Sequence, residues 1–349
     1  MLDFHSYPLW VDIAVFAASA AAVWLAGTRL SRQADAFSRI TGIGGAVVGL
    51  ILLGGITSLP EVAVSTSSSL NGNAALAVNN LLGGVAMQVA VLAIADAAIG
   101  RDPLTSVVAK PIILLQGTLC VVLLVLVASG IVVGEVSILG VGVWTSGVLV
   151  MYVVAMWLIT WSEGRRTWLP GGGAQNRQQE PSGGAERARA EEASLGSTVV
   201  KMAVAGLTIL MAGFLLSRTG EAIADKTGLG SSFVGAVFLA ISTSLPEVST
   251  VLSAVRLKRY EMAVSDIFGT NLFDIVLVFL VDAVYAGRPV LAEVGPFSTF
   301  AALLGIAVTT IYLAGLVERR DKAILRMGVD SLAVLGTYVG GLGILYSLR

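Results

Sequence analysis

The chain of 349 residues is 56% hydrophobic and 13% charged, with a formal net charge of −1 and a mean hydropathy of +0.86. Globular proteins carry roughly 25% charged residues, so the composition excludes an ordinary soluble domain. It has no basic stretch suited to nucleic acid, and a single cysteine and a single histidine argue against a zinc or haem centre.

Apolar runs long enough to cross a hydrocarbon core of about 30 Å recur along the whole sequence. They are continuous rather than alternating, so they read as helices and not as barrel strands. In chain order they fall near residues 9–30, 41–70, 74–99, 109–131, 138–161, 196–217, 230–256, 260–286, 294–317 and 324–347. Nothing basic precedes the first run and His5 lies in the short tail before it, so it reads as a membrane helix and not as a cleaved signal peptide. The fourth run holds Cys120, expected to be a buried structural thiol. Between the fifth and sixth runs, residues 162–195 are polar, Gly-rich and Gln-rich, and read as a flexible linker. The expected organisation is therefore an all-α polytopic membrane protein of ten spans, five in residues 1–161 and five in 196–349.

The basic residues orient these spans. With the N-terminus outside, Arg29, Arg32, Arg39, Arg101, Lys110, the linker arginines, Arg256, Lys258, Arg259, Arg319, Arg320, Lys322 and Arg326 fall inside. The outside keeps Arg218, Lys226, Arg288 and Arg349. This positive-inside bias predicts a multi-pass protein with both termini outside and a cytoplasmic linker. The compact linker and the lack of a targeting signal point to a prokaryotic plasma (inner) membrane.

The second span of each half carries the same six residues, TSLPEV, at Thr57–Val62 and Thr243–Val248. Five spans per half is an odd number, so the two copies should cross the membrane in opposite directions, an inverted repeat of the kind secondary transporters use. A second element follows each copy, reaching Gln88 in the first half and Asp274 in the second; Glu61 to Gln88 and Glu247 to Asp274 have the same separation.

The chemistry of the repeat follows from its residue types. Pro60 and Pro246 lack an amide hydrogen and break the helix ladder, which frees carbonyls near Thr57 and Thr243. Free carbonyls at membrane depth are tolerated only where they line a cavity or bind something. Thr57, Ser58, Thr243 and Ser244 add hydroxyls, and Glu61, Glu247, Asp266 and Asp274 add carboxylates. A charge near the bilayer centre costs at least about 2.5 kcal/mol, so such groups should face one another and share cations. An all-oxygen set suits calcium or alkali ions and not soft metals.

TSLPE in two copies, with GTNLFD after the second, resembles the repeats of the sodium/calcium exchanger superfamily, and the likeness covers essentially the whole membrane region. It implies a fold of two inverted five-helix halves. It implies a secondary active transporter, not an enzyme, that exchanges calcium for sodium or protons without a cofactor. Glu61 and Glu247 match the family's calcium ligands, Asp274 its acidic position, and Thr270 its hydroxyl position. The first half departs from the pattern: Gly84 lacks the hydroxyl, Gln88 replaces asparagine, and Asp266 stands in the second half where asparagine is usual. The partners expected are inorganic cations and membrane lipids, with no obligate protein partner evident. Two other classes fit less of the sequence: a non-transporting membrane sensor, and an intramembrane hydrolase built on Asp266 and Asp274.

Overall fold

Within the described residues every long apolar run is helical, because a backbone shielded from water must bond to itself. The computed structural model describes residues 4–41, 57–99, 104–108, 110–138, 140–163, 195–256, 258, 260–318, 323–324 and 327–349. The first half contains α1 (Leu9–Thr41), α2 (Leu59–Leu70), α3 (Ala74–Ile99), α4 (Pro111–Val133) and α5 (Val143–Glu163). The second contains α6 (Leu195–Thr227), α7 (Ser231–Thr243), α8 (Leu245–Arg256), α9 (Tyr260–Val284), α10 (Pro296–Glu318) and α11 (Val329–Ser347). Among the described residues eight helices are long and apolar enough to cross a membrane, or nine if α7 and α8 form one broken span. The first part of the expected second span, residues 42–56, and the linker from 164 to 194 lie outside the described residues.

Some boundaries differ from the expected ones. α1 and α6 are each 33 residues long and run well beyond the apolar stretch that defined them. The fifth and tenth spans do not open as helices. Each is preceded by a small antiparallel hairpin, β1 (Ser137–Ile138) with β2 (Val141–Gly142), and β3 (Ala323–Ile324) with β4 (Met327–Gly328). Gly140 at φ 86° turns the first of these, a conformation that a side chain would strain.

Burial separates the helices into an inner and an outer set. α3 and α9 carry apolar residues all round, which marks a helix surrounded by protein; 89% of the spanning window of α3 and 67% of that of α9 is buried. α1 and α6 are only 22% and 28% buried over theirs and pack along each other at the periphery. Trp10, Leu207 and Met211 on them are exposed, as suits a lipid-facing surface. α4, α5, α10 and α11 complete the core around α3 and α9.

The two halves exchange matching contacts. In the last turn of α3, buried Asp96 accepts hydrogen bonds from the Leu104 N–H at 2.5 Å and the Gly328 N–H at 2.7 Å. In the matching turn of α9, buried Asp282 accepts from the Val290 N–H at 2.6 Å and the Gly142 N–H at 2.7 Å. The offset that takes Glu61 to Glu247 also takes Asp96 to Asp282, Leu104 to Val290 and Gly142 to Gly328. Each aspartate therefore holds one N–H of its own half and one of the other, the reciprocal pattern of a two-fold interface. A carboxylate near a helix C-terminus opposes the helix dipole, and the backbone donors offset that cost.

The outer pair is pinned at one end. Lys226, in the last turn of α6, donates to Asp12 Oδ2 of α1 at 2.5 Å and to the Phe4 and Tyr7 carbonyls at 2.7 and 2.6 Å. All three ammonium hydrogens are thereby used.

Candidate functional site

The site is built on two matching backbone turns, at Ser58 before α2 and at Ser244, where the second breaks the helix between α7 and α8. Ser58, just before α2, has φ −79° and ψ 7°; Ser244, between α7 and α8, has φ −80° and ψ 8°. Two residues later Pro60 and Pro246 have no amide hydrogen to offer the preceding turn. The ladder resumes with the Val62 N–H donating to the Ser58 carbonyl at 3.0 Å and the Val248 N–H donating to the Ser244 carbonyl at 3.2 Å. α7 and α8 meet at 43° across the second break. A π-helical stretch, Val234–Leu239, precedes that break and widens the backbone spiral ahead of it. Glu61 and Glu247 consequently lie in the first turns of α2 and α8, where the helix dipole favours a carboxylate.

Glycines bring the outer helices onto these turns. A Cβ on Gly27 of α1 would lie 2.6 Å from the Pro246 ring, and a Cβ on Gly213 of α6 would lie 2.5 Å from Ala63 of α2. The two glycines are related by the repeat offset, so each outer helix leans on the turn of the opposite half.

α3 and α9 bring Gln88, Thr270 and Asp274 to the same region. Gln88 Nε2 donates to Asp274 Oδ2 at 3.0 Å and to Ser244 Oγ at 3.3 Å. Thr57, Ser58, Glu61, Gln88, Thr243, Ser244, Glu247, Thr270 and Asp274 are all buried. Glu61, Glu247 and Asp274 are electrostatic neighbours, with Thr243 and Ser244 beside Glu61 and Ser58 beside Asp274. These last approaches fall short of good hydrogen-bond geometry. Both oxygens of Glu61, both of Glu247, Asp274 Oδ1, Ser58 Oγ, Gln88 Oε1, Thr270 Oγ1 and Asn271 Oδ1 have no hydrogen-bond partner among the described residues. Nor does any lysine, arginine or histidine there pair with the three carboxylates.

Buried oxygens in this number, facing only hydroxyl and amide donors and no basic side chain among the described residues, are what a cation would need. Among the described residues no three acidic, histidine or cysteine side chains stand close enough to hold a metal ion by themselves. A shell of the six to eight oxygens that calcium takes would have to include the hydroxyl and amide oxygens between the carboxylates.

Asp266 lies nearer the start of α9 and is an electrostatic neighbour of Glu247. It is half-buried, and its Oδ2 accepts from Thr250 Oγ1 at 2.7 Å. Eight residues of α9 separate it from Asp274, about 12 Å along the helix. Its counterpart Asn80 is fully buried and donates to Ser65 Oγ at 3.3 Å. Asn271, Asp96, Asp282, Gly27 and Gly213 were not singled out from the sequence, although the last four are identical residues paired at the repeat offset, a signal that was there to read. Cys120 is buried and free, its thiol directed at the Phe268 carbonyl.

The comparison with known proteins agrees with this architecture. The chain is 27% identical over 326 residues to the inner membrane protein YrbG of Escherichia coli (strain K12), covering 92% of each. It is 24% identical over 318 residues to the putative antiporter CaxA of Alkalimonas amylolytica, covering 87% of this chain and 92% of that one. Its fold is similar to a crystal structure of the H+/Ca2+ exchanger CAX, with a TM-score of 0.66 at 14% identity over 98% of this chain and 85% of the other. It is also similar to a structure of the sodium-calcium exchanger NCX_Mj, with a TM-score of 0.62 at 14% identity over 96% of this chain and 99% of the other. Sodium/calcium exchanger protein sequences match it in two blocks, residues 11–161 and 197–346, which are the two halves described above, and the chain belongs to that family.

Proposed function

We propose that this protein is a secondary active antiporter that exchanges calcium for sodium across the inner membrane by alternating access. The observation that carries the reading is the set of unpartnered buried oxygens on Glu61, Glu247, Asp274, Ser58, Gln88 and Thr270, gathered around the two Ser-Leu-Pro turns, with no basic side chain among the described residues paired to the carboxylates. Three carboxylates can share one calcium or several sodium ions, but not comfortably both. An uncompensated charged site is costly to carry across the bilayer, and that competition makes exchange out of binding.

The ten spans are two inverted halves, with both termini outside and the linker in the cytoplasm. The reciprocal Asp96–Gly328 and Asp282–Gly142 hydrogen bonds support a two-fold relation between the halves, and the distribution of arginine and lysine supports its placement in the membrane plane. α1 and α6, peripheral and packed on each other, slide together over the core that holds the site. In the present conformation the α2 side is closed: Ser68 Oγ and Ser217 Oγ are hydrogen-bonded at 2.7 Å, Ser69 Oγ donates to the Val281 carbonyl at 2.7 Å, and Asn73 Nδ2 donates to Ser231 Oγ at 3.1 Å.

A second reading keeps the site and changes the driving ion to the proton. The extra carboxylate at Asp266 favours it, because it stands where the pattern that the repeat resembles has asparagine and can take up a proton. Radiolabelled calcium uptake into proteoliposomes separates the two. An outward sodium gradient drives uptake in the first case, and only a proton gradient drives it in the second. No uptake in either arm, from folded protein, would remove calcium as the substrate.

A further inference from the structure

We infer that the site takes monovalent cations on one flank only: the position lined by Ser58, Thr270 and Asp274 holds a sodium ion, and its repeat-related position, lined by Ser244, Gly84 and Gln88, holds none. This rests on the transport reading above and makes the exchange electroneutral, one calcium for two sodium ions. The two positions can be compared directly, because the offset that takes Glu61 to Glu247 also takes Ser58 to Ser244, Gly84 to Thr270 and Gln88 to Asp274.

On the first flank three oxygens are left over. Ser58 lies beside Asp274, and Thr270 stands one turn before Asp274 on the same face of α9. Ser58 Oγ, Thr270 Oγ1 and Asp274 Oδ1 are buried and have no hydrogen-bond partner among the described residues. One carboxylate oxygen and two hydroxyls are hard ligands of low total charge. They suit a monovalent ion and fall short of the six to eight oxygens that calcium takes.

The mirror flank has the same framework without the ligands. Outside its own helix, a Cβ on Gly84 would have only Ser244 Oγ within reach, at 3.8 Å, so the glycine faces Ser244 and brings no oxygen to it. Ser244 Oγ is also engaged: Gln88 Nε2 donates to it at 3.3 Å and to Asp274 Oδ2 at 3.0 Å. An ionised carboxylate only accepts, so Asp274 fixes the amide with its NH2 turned this way. A positive dipole end therefore stands where a second flanking ion would sit. Glu61 and Glu247, with all four oxygens unpartnered, hold the remaining cation. Glu61, Glu247 and Asp274 together carry three negative charges, and one calcium or two sodium ions leave the same single charge. The loaded site then crosses the low-dielectric region at equal cost in both directions.

The test counts sodium-22 released per calcium-45 taken up by proteoliposomes at clamped membrane potentials, and follows sodium displacement of calcium-45 from the purified full chain. The expected ratio is about two, with uptake unchanged when the potential is stepped by about 100 mV. Thr270→Val is expected to raise half-displacing sodium about threefold or more, and to flatten displacement towards a Hill coefficient of about one. Should Thr270→Val fail to fold, Ser58→Ala is expected to do the same. Any other ratio, or uptake that the potential accelerates, overturns the inference and leaves the exchange reading standing. Wild-type displacement in Thr270→Val or Ser58→Ala overturns it equally. Calcium that sodium does not displace would remove the sodium-coupled reading itself and this inference with it.

Discussion

Gln88 and Asp274 hold the same position in the two copies of the repeat and are hydrogen-bonded to each other at 3.0 Å. Equivalent residues of a repeat touch only near the axis that relates the copies, so in the proposed inverted arrangement this contact lies at the middle of the proposed site. The amide gives Asp274 a donor where a second carboxylate would repel it. A hydrogen bond to a charged group contributes about 1.5–3 kcal/mol. Gln88→Ala is therefore expected to weaken calcium binding about tenfold or more, measured by calcium-45 dialysis against wild type; unchanged affinity would mean that the contact does not shape the site.

Asp96 and Asp282 each accept two backbone N–H bonds that tie the halves together. Asparagine retains one acceptor oxygen and presents an NH2 to the other donor. Asp96→Asn and Asp282→Asn are each expected to lower stability in detergent by about 2–4 kcal/mol, seen as a lower midpoint of thermal unfolding. Wild-type midpoints in both would contradict their role as clamps.

Ser68 of α2 and Ser217 of α6 are 2.7 Å apart at their hydroxyl oxygens. Cysteines there are within the short span that a disulfide needs. With Cys120 replaced by alanine, Ser68→Cys with Ser217→Cys is expected to lose calcium flux under oxidising conditions and to regain it on reduction. Full flux with the crosslink formed would show that α6 does not move against α2 during transport.

Lys226 is 21% exposed and its partner Asp12 is fully buried. Removing the lysine strands a buried carboxylate, which costs about 3–5 kcal/mol. Asp12→Asn leaves no such charge and should cost less. Lys226→Met is thus expected to be the more destabilising of the two by thermal unfolding, with part of the loss recovered in the double variant. Equal effects would indicate that the contact with the Phe4 and Tyr7 carbonyls matters more than the ion pair.

The matching turns at Ser58 and Ser244 were legible because proline and glutamate sit together in both TSLPEV copies, and the placement of Gln88 beside Asp274 was legible from equal spacing. Asp266 was grouped with the other carboxylates because it shares a helix with Asp274; its hydrogen bond from Thr250 depends on how α8 packs on α9, which the sequence alone does not reveal. The hairpins before α5 and α11 were hidden by apolar residues such as Val141 and Val143, which suit a strand as well as a helix. Asp96 and Asp282 stand alone in apolar surroundings with little shared sequence around them, so their pairing emerges only when the repeat offset is carried to the ends of α3 and α9.

Calcium-45 equilibrium binding to wild type, Glu61→Gln and Glu247→Gln, with sodium as competitor and Asp330→Asn, in the first turn of α11, as control, tests the paired glutamates most directly. The account predicts saturable binding that sodium displaces in wild type and in Asp330→Asn, and a loss of about a hundredfold or more in each glutamate variant, since each removes one charge from a buried oxygen shell. Wild-type binding by either glutamate variant would contradict a shared cation site at the two Ser-Leu-Pro turns.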